Sequence, residues 1–245
     1  MPLKLTLNGL SRFGRRERPF LLDPHGNLEV QQHLQTTHPV AAAGQYFVAT
    51  NPTVSTAVAY AVQASFSETV PYIILRTKAG YPQRKLIYLE YIKLITAVTP
   101  ASSTSAQFAI TIDNIDRLST GGTDITPQNP NMSAPRESAC TLTVGTPTAT
   151  ANSGARRLIA RGLLRSAIPV TGDTYMLNFG NMEKSTGQVI SGTSAIGAMY
   201  HCPPVVLEAG NQVQSCLLHL WFPSNVTTAA TFEFEMGWWE VPLEG

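Results

Sequence analysis

Phe232, Phe234, Met236 and Trp238 recur at every second position, while Thr231, Glu233, Glu235 and Trp239 occupy the opposite parity. This is the period of a half-buried strand, not of a helix. A strand so divided needs a sheet beside it and a core beneath it. Its place near the end of the sequence predicts that the chain finishes inside its own sheet.

The same reading extends backwards from there. Val58 to Phe66 is rich in Ala and Val and reads as a strand. Tyr72-Ile73-Ile74-Leu75 follows Pro71, and Phe108, Ile110 and Ile112 alternate with smaller or polar residues. The longest apolar run, Leu86 to Val98, fits a buried helix or a strand. Its β-branched and tyrosine content favours a strand covered on both faces. Residues 116 to 137 hold Gly121-Gly122, Pro127, Asn129-Pro130-Asn131 and Pro135, which predict a long loop. Strands resume at Cys140 to Val144. Arg157, Arg161 and Arg165 keep helical spacing, but Arg157, Ile159, Arg161 and Leu163 also share a strand face; the neighbouring strands favour β. Pro203 to Leu207 and Gln212 to Phe222 add two more. About ten strands without βα alternation predict an all-β fold, an antiparallel β-sandwich or jelly roll.

Residues 1–45 show neither period. They carry Lys4, Arg12, Arg15, Arg16 and Arg18 with Glu17 as the one acid nearby. This segment reads as an extended N-terminal arm, ordered by what it lies against, and 46–245 as the sandwich domain. It holds scattered Leu but no continuous apolar h-region, so no signal peptide is read, and no apolar run reaches the about 18 residues that span a bilayer.

Composition narrows the partners. Only 13% of the 245 residues are charged, against about 25% in an average protein. Thr, Ser, Asn and Gln take their place, which suits strands, turns and surfaces buried against other subunits. The net charge of +1 provides no general attraction to nucleic acid or to an anionic membrane. The sequons at Asn131 and Asn225 read as chance matches in a Thr-rich chain. Cys140, Cys202 and Cys216 are odd in number and far apart, which predicts buried free thiols of a reducing compartment.

Candidate chemistry is sparse. His201-Cys202 with Cys216 and His219 would need a bulge to share a metal, so buried thiols and a satisfied histidine are the expected roles. Asp113-Asn114-Ile115-Asp116 resembles part of a calcium loop without its Gly turn or its bidentate Glu; turn-forming side chains are the better reading. Glu233 and Glu235 lie about 7 Å apart on one strand face, the pairing a glycosidase requires, but away from the aromatic side. No cofactor or metal site is expected. Trp238 and Trp239 point to opposite faces: one belongs to the core, and the other is an interface anchor or a sugar-stacking platform. Arg12, Arg15, Arg16, Arg18 and Trp239 are therefore the candidate partner contacts. Carboxylates on another protein suit the guanidinium forks better than nucleic acid does.

Two groups of segments carry a resemblance. The first runs from Tyr88-Leu89-Glu90-Tyr91-Ile92-Lys93 through Ile112-Asp113-Asn114-Ile115-Asp116-Arg117 to Ser119-Thr120-Gly121-Gly122-Thr123. The second runs from Pro204-Val205-Val206-Leu207-Glu208-Ala209-Gly210 through Leu218-His219-Leu220-Trp221 to the Phe232–Glu240 strand. These segments resemble jelly-roll decoration (cement) proteins of tailed-bacteriophage heads. The resemblance implies a non-enzymatic virion protein made in the host cytoplasm, often trimeric, that binds the major capsid protein from outside and clasps the shell with its arm. A carbohydrate- or receptor-binding module of a fibre or spike, a virion hydrolase acting through Glu233 and Glu235 or Asp113 and Asp116, and a major coat protein are the alternatives.

Overall fold

The computed structural model describes residues 41–53, 55–61, 63–100, 105–133, 136–180, 190–191, 196–223 and 230–243. The predicted arm contacts Arg12, Arg15, Arg16 and Arg18 lie outside them. Among the described residues the elements are strands: β1 (Tyr46–Thr50), β2 (Val58–Ala59), β3 (Ile73–Thr77), β4 (Lys85–Val98), β5 (Ala106–Asp113), β6 (Leu118–Ile125), β7 (Cys140–Ala149), β8 (Arg157–Arg165), β9 (Thr174–Phe179), β10 (Ile190–Ser191), β11 (Ile196–Cys202), β12 (Val206–Ala209), β13 (Ser215–Trp221) and β14 (Thr231–Pro242). No helix among them is long and apolar enough to cross a membrane.

The strands form a β-sandwich of two sheets. One has the order β1-β14-β4-β9-β11-β10, with β12 also on β4 and β2 on β14; the other runs β6-β7-β3-β13-β5-β8. Among the described strands the pairings are antiparallel except β9 with β11, and an isolated bridge between Ala79 and Gly210 is also parallel. The chain changes sheet between β3, β4 and β5, and again between β12, β13 and β14. Alternation then does the sorting. Ile87, Leu94, Phe232 and Trp238 of one sheet meet Leu75, Phe108, Leu142 and Leu218 of the other in one buried core. Each such side chain contributes about 1.5–3 kcal/mol on burial.

Residues 41–45 are tied to this domain. Asn131 Nδ2 donates to the Ala42 carbonyl, Asn129 Nδ2 to the Gly44 carbonyl, and the Glu240 amide to the Gln45 carbonyl.

The structure corrects three sequence expectations. Leu86–Val98 is a strand, but not one covered equally on both faces: its residues alternate between buried and half-buried. The alternation slips once, at Glu90. Gly237 pairs with Tyr91 and Trp238 with Leu89, so Glu90 is the extra residue of a β-bulge. Leu89 and Ile92 both point inward as a result. The supposed loop of 116–137 contains β6, an edge strand with six consecutive exposed residues. Its register on β7 shifts twice, and Gly122, at φ 77°, sits where an added Cβ would lie 2.6 Å from the Thr143 methyl. Conversely, among the described residues Val58–Phe66 forms a strand only at Val58–Ala59, with one further backbone bond from the Phe222 amide to the Gln63 carbonyl. Ala and Val there report propensity, but no further partner strand lies alongside among the described residues.

Candidate functional site

The outer face of the larger sheet gathers aromatic and acidic side chains. Tyr46 of β1 faces Trp239 of β14 across the ladder, and Val48 faces Gly237. On the other side of β14, Gly237 meets Tyr91 and Glu235 meets Lys93 of β4. The bulge turns Glu90 onto this face. Its Oε2 accepts the Tyr46 hydroxyl at 2.5 Å and the Trp239 indole N–H at 3.2 Å. Glu235 completes a second set: Tyr91 donates its hydroxyl at 2.5 Å, and Lys93 Nζ lies 3.4 Å away. Charge-assisted bonds of this kind are the strong class of hydrogen bond.

Gly237 makes the arrangement possible. A Cβ there would come within 2.5 Å of both the Tyr46 Oη and the Tyr91 Cε1, so the two rings lie directly over its backbone. Burial raises both phenols well above the usual tyrosine range, and the adjacent carboxylates of Glu90 and Glu235 raise them further. Both hydroxyls stay protonated and donate. The half-buried face continues over β9 and β11 through Met176, paired with Lys93, and Met199, paired with Met176.

Two shallow grooves flank the cluster. One, of about 280 Å³, is bordered by Thr50, Asn51, Lys93, Ile95, Glu233 and Glu235. The other, of about 270 Å³, lies between Trp239, Tyr88, Glu90, Phe179, Gly180 and Pro204. Of the two tryptophans, Trp238 is wholly buried and gives its indole N–H to Glu240, whereas Trp239 is half-buried on the outer face. Trp239 is the one predicted contact residue among those described.

The remaining sequence candidates do not form the sites their spacing suggested. Glu233 and Glu235 do share a face, but Glu235 is engaged by Tyr91 and Lys93 rather than set opposite a second free acid. Asp113 and Asp116 belong to a polar cluster on the smaller sheet. The Asp113 carboxylate accepts Arg117 Nη1 at 2.9 Å, Asn152 Nδ2 at 2.7 Å and the Asn114 amide at 2.8 Å. Asp116 accepts the Leu118 amide at 3.0 Å and pairs with Arg76 at 3.3 Å. These are turn and ion-pair roles. No group of three or more His, Cys, Asp or Glu among the described residues could hold a metal ion.

Arg117 is fully buried and also reaches Glu68 Oε1 at 3.2 Å and the Thr150 carbonyl at 2.6 Å. Burial alone would push the Glu68 carboxyl up; the Asn152 amide, Arg156 and Arg117 outweigh it and hold it below the usual carboxylate range. Cys216 points into the core and His219 outward, where its ring lies 3.0 Å from both the Thr111 hydroxyl and the Ser67 carbonyl. Burial lowers the His219 pKa to about 4. Cys140, Cys202 and Cys216 are buried free thiols, as expected.

Sequence reasoning missed the Tyr46–Glu90–Trp239 set. One signal was present. Ile87 and Leu89 keep one parity and Ile92 and Leu94 the other, which places a bulge between them, next to an acid in an apolar run. Comparisons with protein-family models, with curated proteins and with solved structures give no match to this chain.

Proposed function

We propose that this chain is a non-enzymatic structural protein of a bacteriophage virion, a decoration protein that binds the outside of the assembled capsid. The observation that carries the reading is the half-buried face around Trp239. Trp and Tyr side chains are held there by carboxylates on a rigid sheet, the chemistry enriched at interface anchors. Whatever binds only the assembled shell stabilises it by linkage, and many copies multiply modest contacts. In this reading the copies associate, as trimers, and the basic arm with Arg12, Arg15, Arg16 and Arg18 touches the shell or a neighbouring copy. The test is co-sedimentation with purified capsid shells. Trp239→Ala weakens binding by roughly tenfold or more, the range of an interface anchor. Unchanged occupancy for that variant rejects this face as the docking surface. Unchanged occupancy after deletion of residues 1–40 rejects the role of the arm.

One observation favours a second reading. The groove of about 270 Å³ beside Trp239 sets an indole next to a carboxylate, Glu90, an arrangement that suits a sugar ring. A glycan array read with the intact protein and with Trp239→Ala separates the two: glycan hits that vanish in the variant, with no shell binding, favour a fibre or spike module.

A further inference from the structure

A different edge of the molecule has the features of a strand acceptor. Among the described residues β8 ends the smaller sheet and pairs with β5 alone. Two residues on it stand well out of the surface, Leu158 at 53% and Leu163 at 43% exposure. They pair with Thr111 and Gln107, and Arg161 pairs with Ala109 between them, so all three share the outer side. Arg157 pairs with Ile112 and borders a groove of about 470 Å³ whose wall includes Ile112, Leu207, Asn114 and Gln214. The acid in that groove, Asp113, is already neutralised by Arg117.

The charges on this edge are unbalanced. The flanking arginines are paired, Arg156 with Glu68 and Arg165 with Asp173. Arg157 and Arg161 have no acidic partner among the described residues, and both are exposed. An unpaired edge supplies main-chain donors and acceptors, exposed leucines supply apolar contact, and free guanidinium groups select the sign of the partner.

We infer that the β8 edge accepts a short extended acidic segment of a partner protein by strand addition, with carboxylates meeting Arg157 and Arg161. Charge decides among the possible occupants. Residues 1–40 carry Lys4, Arg12, Arg15, Arg16 and Arg18 against Glu17, Asp23 and Glu29, and this net positive charge disfavours the chain's own arm as the occupant. A second copy paired antiparallel about Arg161 sets Arg161 against itself and Arg157 against Arg165. The surface lies on the sheet opposite the aromatic face, so the inference stands independently of the function proposed above.

The experiment uses the whole chain and two terminally blocked peptides, one repeating Glu-Glu-Val-Val and one repeating Lys-Lys-Val-Val, so that each presents charge on both strand faces, towards Arg161 and towards Arg157. Fluorescence anisotropy measures binding, and backbone amide exchange locates it. The Glu peptide binds roughly tenfold or more tightly than the Lys peptide, with an affinity that falls as salt is raised. It slows exchange within Leu158–Leu163. The double variant Arg157→Glu/Arg161→Glu inverts the preference. Equal binding of the two peptides overturns the inference, as does a preference that survives the charge reversal or protection confined to another strand. A wild-type dimer whose β8 amides are already protected, and which dissociates in the double variant, also overturns it, because the occupant is then a second copy.

Discussion

Lys85 Nζ and Glu240 Oε2 lie 2.8 Å apart with side chains 5% and 0% exposed, an ion pair sealed inside the larger sheet. Glu240 is saturated by further donors: the Ser138 hydroxyl, the Ala139 amide and the Trp238 indole. The pair follows from the period of β14, because Glu240 shares the parity of Trp238 and is carried inward with it. Removing one partner strands the other charge. Glu240→Ala is expected to lower stability by about 3–5 kcal/mol, read as a shift of the urea midpoint at constant slope.

Acid weakens the fold through His219. Its pKa falls from 6.5 when unfolded to about 4 when folded, so below 6.5 the unfolded chain takes up the proton and the folded chain resists it. Stability is therefore full above about pH 6.5 and declines as pH falls towards 4, by about 3 kcal/mol in all. Denaturant titrations across that range show the decline, and His219→Gln removes most of it.

Gly237→Ala tests the packing beneath the aromatic face. The new methyl meets the Tyr46 and Tyr91 rings, and both must move. The expected cost is about 1–3 kcal/mol, as for other overpacked positions. The emission of Trp239 shifts as its bond to Glu90 loosens, which steady-state fluorescence detects.

The three thiols are expected to be silent in the folded protein. Burial raises Cys202 to about 11 and Cys216 to about 12, and it raises Cys140 as well. A thiol-disulfide reagent at about pH 8 labels them only when denaturant opens the sandwich, because the thiolate is the reactive form. Prompt labelling of the native protein would contradict this burial.

The sequence reveals strands where one face is buried and the other is not. β14, β5 and β13 are legible for that reason: burial follows the period of the pattern directly. β9 has the same alternation in Thr174–Phe179 but is too short to stand out in a run of turn residues. β6 is hidden because an exposed edge strand has no apolar face to show, and its glycines, which serve as bulges, read as a loop. The site is legible only in part. Trp239 is visible as the tryptophan of the acidic parity. Glu90 and Tyr46 are not, since 44 positions separate them and only the ladder through β14 brings them together. The burial of Arg117 is equally invisible, because beside Asp113 at the end of β5 its partners Glu68 and Thr150 come from segments 49 and 33 positions away.

The placement of β14 between β1 and β4 also governs how the molecule is made. Asn51 Oδ1 accepts the amide of Phe234, 183 positions away. Closing so long a loop must precede any reward from the contact, which makes for slow folding. Until residues 231–242 arrive, β1 lacks its ladder partner and keeps only the bridge from Val48 to Gln128, and one side of β4 stays open. A nascent or truncated chain is therefore sticky at its own midline, and chaperone dependence during synthesis follows from the order of strands alone.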